Sequence, residues 1–315
     1  MKIRNLLQLL FGILTFIPGI YYLRANKLGS GGSFSSRYCY SVWMRHIYFL
    51  DNKKINLHNK TIAELGPGDS IGVGIMGLLL GAKHYYAFDT VEFANVERNL
   101  KIFDNLVLLI KSKTSIPDED EFPRMQPRLE QYDFPNNFYS DKFLEQVLSN
   151  ERINKIRYSI KNQNKHDSMI TYITPNKKRK ININKKIDFI FSQATLEHVD
   201  DLISIYRDFK DWLSPDGVMS HSIDFKSHGY AKSWDGHWSF SNFRWFLIRG
   251  RRPYLINRQP LSVHLNLHER FNFLINIKKL INMQPTLNKT QYNSHIILSD
   301  IDKKTSGVFI QSQHN

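Results

Sequence analysis

The sequence predicts an α/β fold built on an open, mostly parallel sheet with helices on both faces, and three stretches carry that expectation. Thr61 to Thr90 (TIAELGPGDSIGVGIMGLLLGAKHYYAFDT) reads as a short apolar strand, a glycine-bearing turn, a helix and a second strand that closes on an acid. Ile187 to Leu202 (IDFIFSQATLEHVDDL) reads as a strand followed by a loop with titratable groups. Trp212 to Phe225 (WLSPDGVMSHSIDF) reads as a helix end, a proline turn and a returning strand. Strands alternating with helices in this way build a parallel sheet, which binds ligands outside the carboxyl ends of its strands.

Within the first unit, Ile62 to Leu65 forms the strand, with Glu64 near its end. Gly66 and Gly68 remove side chains where a backbone must turn tightly against a ligand. Ile71, Val73, Ile75, Met76 and Leu78 to Leu80 are apolar almost all round, so the helix should be buried, with its N-terminus facing the turn. A dinucleotide site requires GxGxxG, but here the last position falls on Ile71, and Asp69 would repel a pyrophosphate. A nicotinamide dehydrogenase is disfavoured on both counts.

Glu64, Gly66, Gly68 and Asp89 instead resemble motifs I and II of the class I S-adenosylmethionine (SAM) methyltransferases, with Ser70 in place of the usual third glycine. The stretches at 187–202 and 212–225 resemble that family's fourth strand with its loop and its fifth strand, in the same order. The resemblance implies an α/β, seven-stranded Rossmann-like class I methyltransferase sheet and SAM as cofactor. It implies that Glu64, Gly66, Pro67, Gly68, Asp69 and Ser70 hold the methionine end and that Asp89 and Thr90 take the ribose. Ser192 and Gln193, at the end of the fourth strand, complete the implied cofactor set.

The remaining elements follow in order. Residues 1–28 form an apolar N-terminal segment, Gly29 to Ser36 (GSGGSFSS) a break, and residues 37–315 the methyltransferase domain. Tyr38 to Leu50 is expected as a helix over the cofactor turn. An insertion of about residues 92–166, expected as an acceptor-side cover, carries helical stretches at Val91 to Lys111 and Asp141 to Ile160, joined through Pro117, Pro123, Pro127 and Pro135. Ser168 to Ile173 is the candidate third strand, and the fourth begins near Lys185. A second insertion, about 226–261, holds Tyr230, Trp234, Trp238, Phe240, Phe243, Trp245, Phe246 and Tyr254 with Arg244, Arg249, Arg251 and Arg252. Its aromatics suit either an acceptor pocket or the insertion's own small core. Leu261 to Arg270 reads as a helix, and Phe271 to Leu280 and Val308 to Gln313 as closing antiparallel strands.

Composition narrows the class. At 42% apolar and 23% charged residues the chain is globular rather than disordered, and Cys39, its only cysteine, allows neither an intrachain disulfide nor a cysteine cage. A formal charge of +14 favours anionic partners without choosing among them. Lys177 to Lys180 with Lys185 and Lys186 read as a solvated loop. Nucleic acid is disfavoured, since no basic stripe with stacking aromatics is evident. Leu6 to Leu23 is apolar apart from Gln8, flanked by Lys2, Arg4, Arg24 and Lys27, and interrupted by Pro18 and Gly19. Two readings stand for it: a helix on the cytoplasmic leaflet through residues 6–23, or a helix that caps the core. The protein is expected in the cytoplasm, at the membrane face under the first reading.

Methyl transfer from a sulfonium is an in-line displacement, so alignment and exclusion of water matter most, and a base is needed for a hydroxyl acceptor. His198, His221, Asp224 and His237 are the candidate catalytic residues, with Glu197, His228 and Asp235 close in sequence. Glu197 and His198 also resemble part of the ExxEH element that places a divalent ion in small-RNA terminal 2′-O-methyltransferases and ubiquinone-pathway O-methyltransferases. Ala194 stands where the earlier glutamate would be, so no metal is assigned, though His221, His228 or Asp224 would be the substitutes. The resulting expectation is a SAM-dependent O-methyltransferase acting on a glycan, lipid-linked sugar or other small-molecule acceptor. The alternatives are an RNA methyltransferase and a catalytically silent scaffold.

Overall fold

The computed structural model describes residues 3–17, 33–50, 56–90, 95–174, 186–252 and 255–315. Pro18 to Leu23, Gly29, the run Lys177 to Lys180, Lys185 and Tyr254, all singled out in the sequence, lie outside the described residues.

The apolar strands assemble first. β1 (Thr61–Leu65), β2 (His84–Phe88), β3 (Ile170–Ile173), β4 (Ile187–Gln193) and β5 (Leu213–Asp224) run parallel, while β6 (Phe273–Asn282) and β7 (Thr305–His314) close the sheet antiparallel. The strand order is β3-β2-β1-β4-β5-β7-β6. Registers such as Glu64 beside Phe191 and Ala87 set the ends of β1, β2 and β4 side by side at one edge.

Because alternate side chains face opposite ways, each central strand feeds two cores. Ile62, Tyr85, Phe189 and Phe191 point to one face, against α2 (Ser36–Tyr48), α3 (Gly72–Leu79), α4 (Val96–Lys111) and α6 (Asn150–Lys161). Ala63, Phe88, Ile190 and Met219 point to the other, against α7 (Leu202–Trp212) and α9 (Leu261–Arg270). On the first face Trp43 of α2 meets Phe189 and Phe191 edge-on at 6.0 and 5.6 Å between ring centroids.

Three boundaries differ from the sequence reading. The expected helix over Asp141 to Ile160 is two, α5 (Asp141–Val147) and α6, broken at Leu148 and Ser149, where Ser149 leaves the helical backbone conformation with φ of −58° and ψ of 149°. The expected turn at Ser214 to Gly217 is absorbed into β5 as an irregularity between the pairs Ile187–Leu213 and Phe189–Val218. The first closing strand is shifted two residues toward the C-terminus, and the second is longer at both ends. The aromatic insertion divides: Phe240 and Trp245 join Ile248, Leu255 and Ile256 in a small third core, Trp234 and Trp238 join the core on the α7 and α9 face, and Phe243 is exposed.

Candidate functional site

The first half of the site is the turn after β1. Gly66 and Gly68 adopt φ of +72° and +71°, the left-handed region that side chains resist. A Cβ on Gly66 would also stand 2.5 Å from the Thr195 side chain, so the turn presses against the loop after β4. Asp89, at the end of β2, accepts from the Gly68 amide at 3.1 Å and the Thr90 amide at 2.7 Å. The carboxylate thereby ties the turn to β2.

Beneath the turn, Glu64 is buried and accepts a 2.6 Å hydrogen bond from the Tyr85 hydroxyl. Burial pushes its carboxyl up to about 8, against the opposing pull of Tyr85 and the Gly74 amide. Its geometry serves the underside of the turn. Asp69 is buried, and its carbonyl accepts from Arg98 at 2.9 Å. Ser70 donates its hydroxyl to the Ser33 carbonyl and its amide to the Ser33 hydroxyl at 3.0 Å. Pro67 is buried between the two glycines.

The second half is a cleft of about 440 Å³ along the carboxyl ends of β4 and β5. Tyr38 of α2, Met125 and Gln126 of the first insertion, Gln193 after β4, and Asp224 and Lys226 after β5 line it. Such a volume suits a small ligand. The insertion holds its wall through Arg45 of α2, a buried guanidinium that donates to the carbonyls of Pro117 at 2.8 Å and Pro127 at 3.0 Å.

Asp224 is the hinge of the local electrostatics. Burial pushes its carboxyl up, but His228 at 3.5 Å and Lys226 at 3.0 Å outweigh that and hold it below its ordinary range. Glu197 behaves oppositely. It is 3% exposed, neither oxygen has a hydrogen-bond partner of normal geometry, and burial first, then the charge of Asp224, raise its pKa well above the ordinary value. A small hollow lined by Glu197, Asp224, Lys226, His237 and Arg258 lies beside the cleft.

The expected catalytic set is only partly brought together. His198 is half-buried, its ring 5.1 Å from that of His228, and ligand atoms of Glu197, His198 and His228 lie within 4.8 Å of one another. His221 is fully buried inside the sheet, bonded to Ser192 at 2.8 Å and stacked 5.0 Å from Phe209, and is not among the residues lining the cleft. Ser192 is fully buried, its hydroxyl engaged by that ring. His237 is buried in the wall of the small hollow, its pKa lowered to about 3 by burial. Asp235 anchors Thr286 and Leu287 through their amides at 2.7 and 3.1 Å.

Sequence reasoning did not assign Tyr38, Gln126 and Lys226 to the cleft. The advance signals were the expected position of the helix from Tyr38 over the turn and the expectation that the insertion at about 92–166 covers the acceptor side.

No family model matches the chain, and no curated protein matches it in sequence. Among solved structures it is similar to an S-adenosylmethionine dependent methyltransferase from Mesorhizobium loti, at 13% identity over 82% of this chain and 93% of that one, with a TM-score of 0.37. A putative S-adenosylmethionine dependent methyltransferase from Listeria monocytogenes shares 12% identity over 87% and 99%, TM-score 0.41. The magnesium protoporphyrin IX methyltransferase from Synechocystis, solved with bound SAH, shares 10% over 99% of both chains, TM-score 0.40. Here the chain's own topology decides, because β7 inserts antiparallel between β5 and β6 and the glycine turn caps β1. The fold is that of the class I SAM-dependent methyltransferases.

Proposed function

We propose that this chain is a SAM-dependent methyltransferase that methylates an oxygen of a small-molecule or glycan acceptor, residues 37–315 forming the catalytic domain. The observation that carries this reading is the pairing of the left-handed Gly66–Gly68 turn with Asp89 at the edge where a ligand meets an open α/β sheet. Gly66 to Ser70 would follow the methionine end, Glu64 would support the turn from below, and Asp89 with Thr90 would face the ribose. Gln193, shared with the cleft, would stand between donor and acceptor.

SAM would supply an activated methyl group; the chain's residues would align the acceptor and manage its proton. Asp224, ionised and lining the cleft, is the group best placed to take that proton, with His228 and Lys226 orienting it. Lys226 and Arg124 beside Tyr38 and Phe122 favour an acceptor with hydroxyl or anionic groups next to a ring, such as a phosphorylated or lipid-linked sugar. Isothermal titration with SAM, followed by methyl transfer to candidate sugars, tests the reading. Donor binding without transfer in Asp224→Asn supports it, and full transfer in that variant removes the assigned base.

A metal-assisted variant has one specific observation in its favour, the clustering of Glu197, His198 and His228. A nitrogen and oxygen donor set of this kind suits a divalent transition ion, and Glu197 is the buried ligand such an ion would neutralise. Turnover unchanged after dialysis against a strong chelator rejects it.

A further inference from the structure

We propose that the pair formed by α1 (Ile3–Leu14) and α8 (Asn242–Arg249) is a docking surface for anionic lipid, independently of the proposed reaction. α1 is apolar apart from Arg4, Asn5 and Gln8, and among the described residues it finds a protein partner on one side. There Gly12 is buried so close to the carbonyls of Leu247 and Ile248 that a Cβ would collide with them, and Leu9 packs on the small core around Trp245 and Ile248. Arg251 donates its amide to the Thr15 hydroxyl at 2.8 Å, and Arg252 reaches Gln8 at 3.4 Å, which fixes the pair at its end.

The other side is open. Leu7, Leu10, Ile13 and Leu14 are between 41% and 47% exposed, and beside them on α8 Phe243 and Phe246 are 72% and 55% exposed. Phe16 bridges the two helices, its ring 5.3 Å from Phe246. A contiguous patch of large apolar side chains is uncommon on a protein surface that faces only water and marks a binding surface.

Charge selects the occupant. The described residues 3–17 and 242–252 contain no carboxylate, while Arg244 lies in the first turn of α8 and Arg249, Arg251 and Arg252 lie at its C-terminal end. Asp200 pairs with Arg249, which leaves the balance positive. An apolar face with a basic rim matches the headgroup and acyl boundary of an anionic bilayer. No helix among the described residues is long and apolar enough to cross a membrane, and α1, with 12 residues, would lie in the interface plane. The same insertion that carries α8 also supplies Asn257 and Arg258 to the hollow beside Asp224, so docking would bring the acceptor side toward lipid.

Flotation of the full-length chain with vesicles tests this. Binding is expected to vesicles of phosphatidylcholine with phosphatidylglycerol, weaker to phosphatidylcholine alone, and reduced at high salt. The double substitution Phe243→Ser and Phe246→Ser should weaken it at least about tenfold while circular dichroism and SAM titration stay unchanged. Three results overturn the proposal: no flotation by the wild type, equal flotation by the double variant, or equal affinity for both vesicles. A wild-type dimer that the double variant converts to monomer would also overturn it, as a subunit interface.

Discussion

At the scale of single residues, function concentrates where side chains are absent or unpartnered. Gly66 meets two constraints at once, a φ of +72° and the Thr195 side chain 2.5 Å from where a Cβ would be. Gly66→Ala should therefore cost about 1–3 kcal/mol of stability and weaken SAM binding at least tenfold, as read by thermal melting and calorimetry. The glycines and Asp89 were legible because their signal is local in sequence. The burial of His221 was not, because depth within the sheet is set by tertiary packing. It sits three residues before Asp224 in β5, about 10 Å inside the sheet edge at roughly 3.3 Å per residue, where its ring pairs with Ser192. Glu197 stands beside His198 in sequence, but only tertiary packing buries its two oxygens.

Elements carry the next constraint, since the turn works only if α3 lies against the sheet. Gly74 allows this: a Cβ there would run into the ring of Tyr85, whose hydroxyl holds Glu64. Gly74→Ala should destabilise the protein by about 1–3 kcal/mol in urea melts and disturb SAM binding through Tyr85; a neutral result would show that α3 can shift freely. Helices with clear boundaries, such as Leu261–Arg270, were readable from the sequence to the residue. The break at Ser149 and the irregularity inside β5 were not, because a helix-compatible pattern continues through the first and neighbouring strand register decides the second.

For the whole molecule, buried histidines set the acid limit. Burial lowers His46 and His264 to about 3 and His268 to about 4, below the ordinary 6.5, so each is neutral when folded and gains a proton on unfolding. Their contribution is complete above pH 6.5 and declines as pH falls from 6.5 toward 4, by about 1.4 kcal/mol per pH unit for each histidine. Glu64, raised to about 8, has the opposite slope: its contribution is complete below the ordinary 4.5 and declines as pH rises toward 8. Urea midpoints should fall steeply below pH 6; a flat profile from pH 7 to 4 would show that these rings are hydrated.

The most direct measurement is calorimetric titration of the full chain with SAM and, separately, with a nicotinamide dinucleotide. One saturable SAM site, lost in Gly66→Ala and in Asp89→Ala variants that remain folded, is the predicted result. Absence of heat with SAM, or saturable binding of the dinucleotide in its place, would contradict the account.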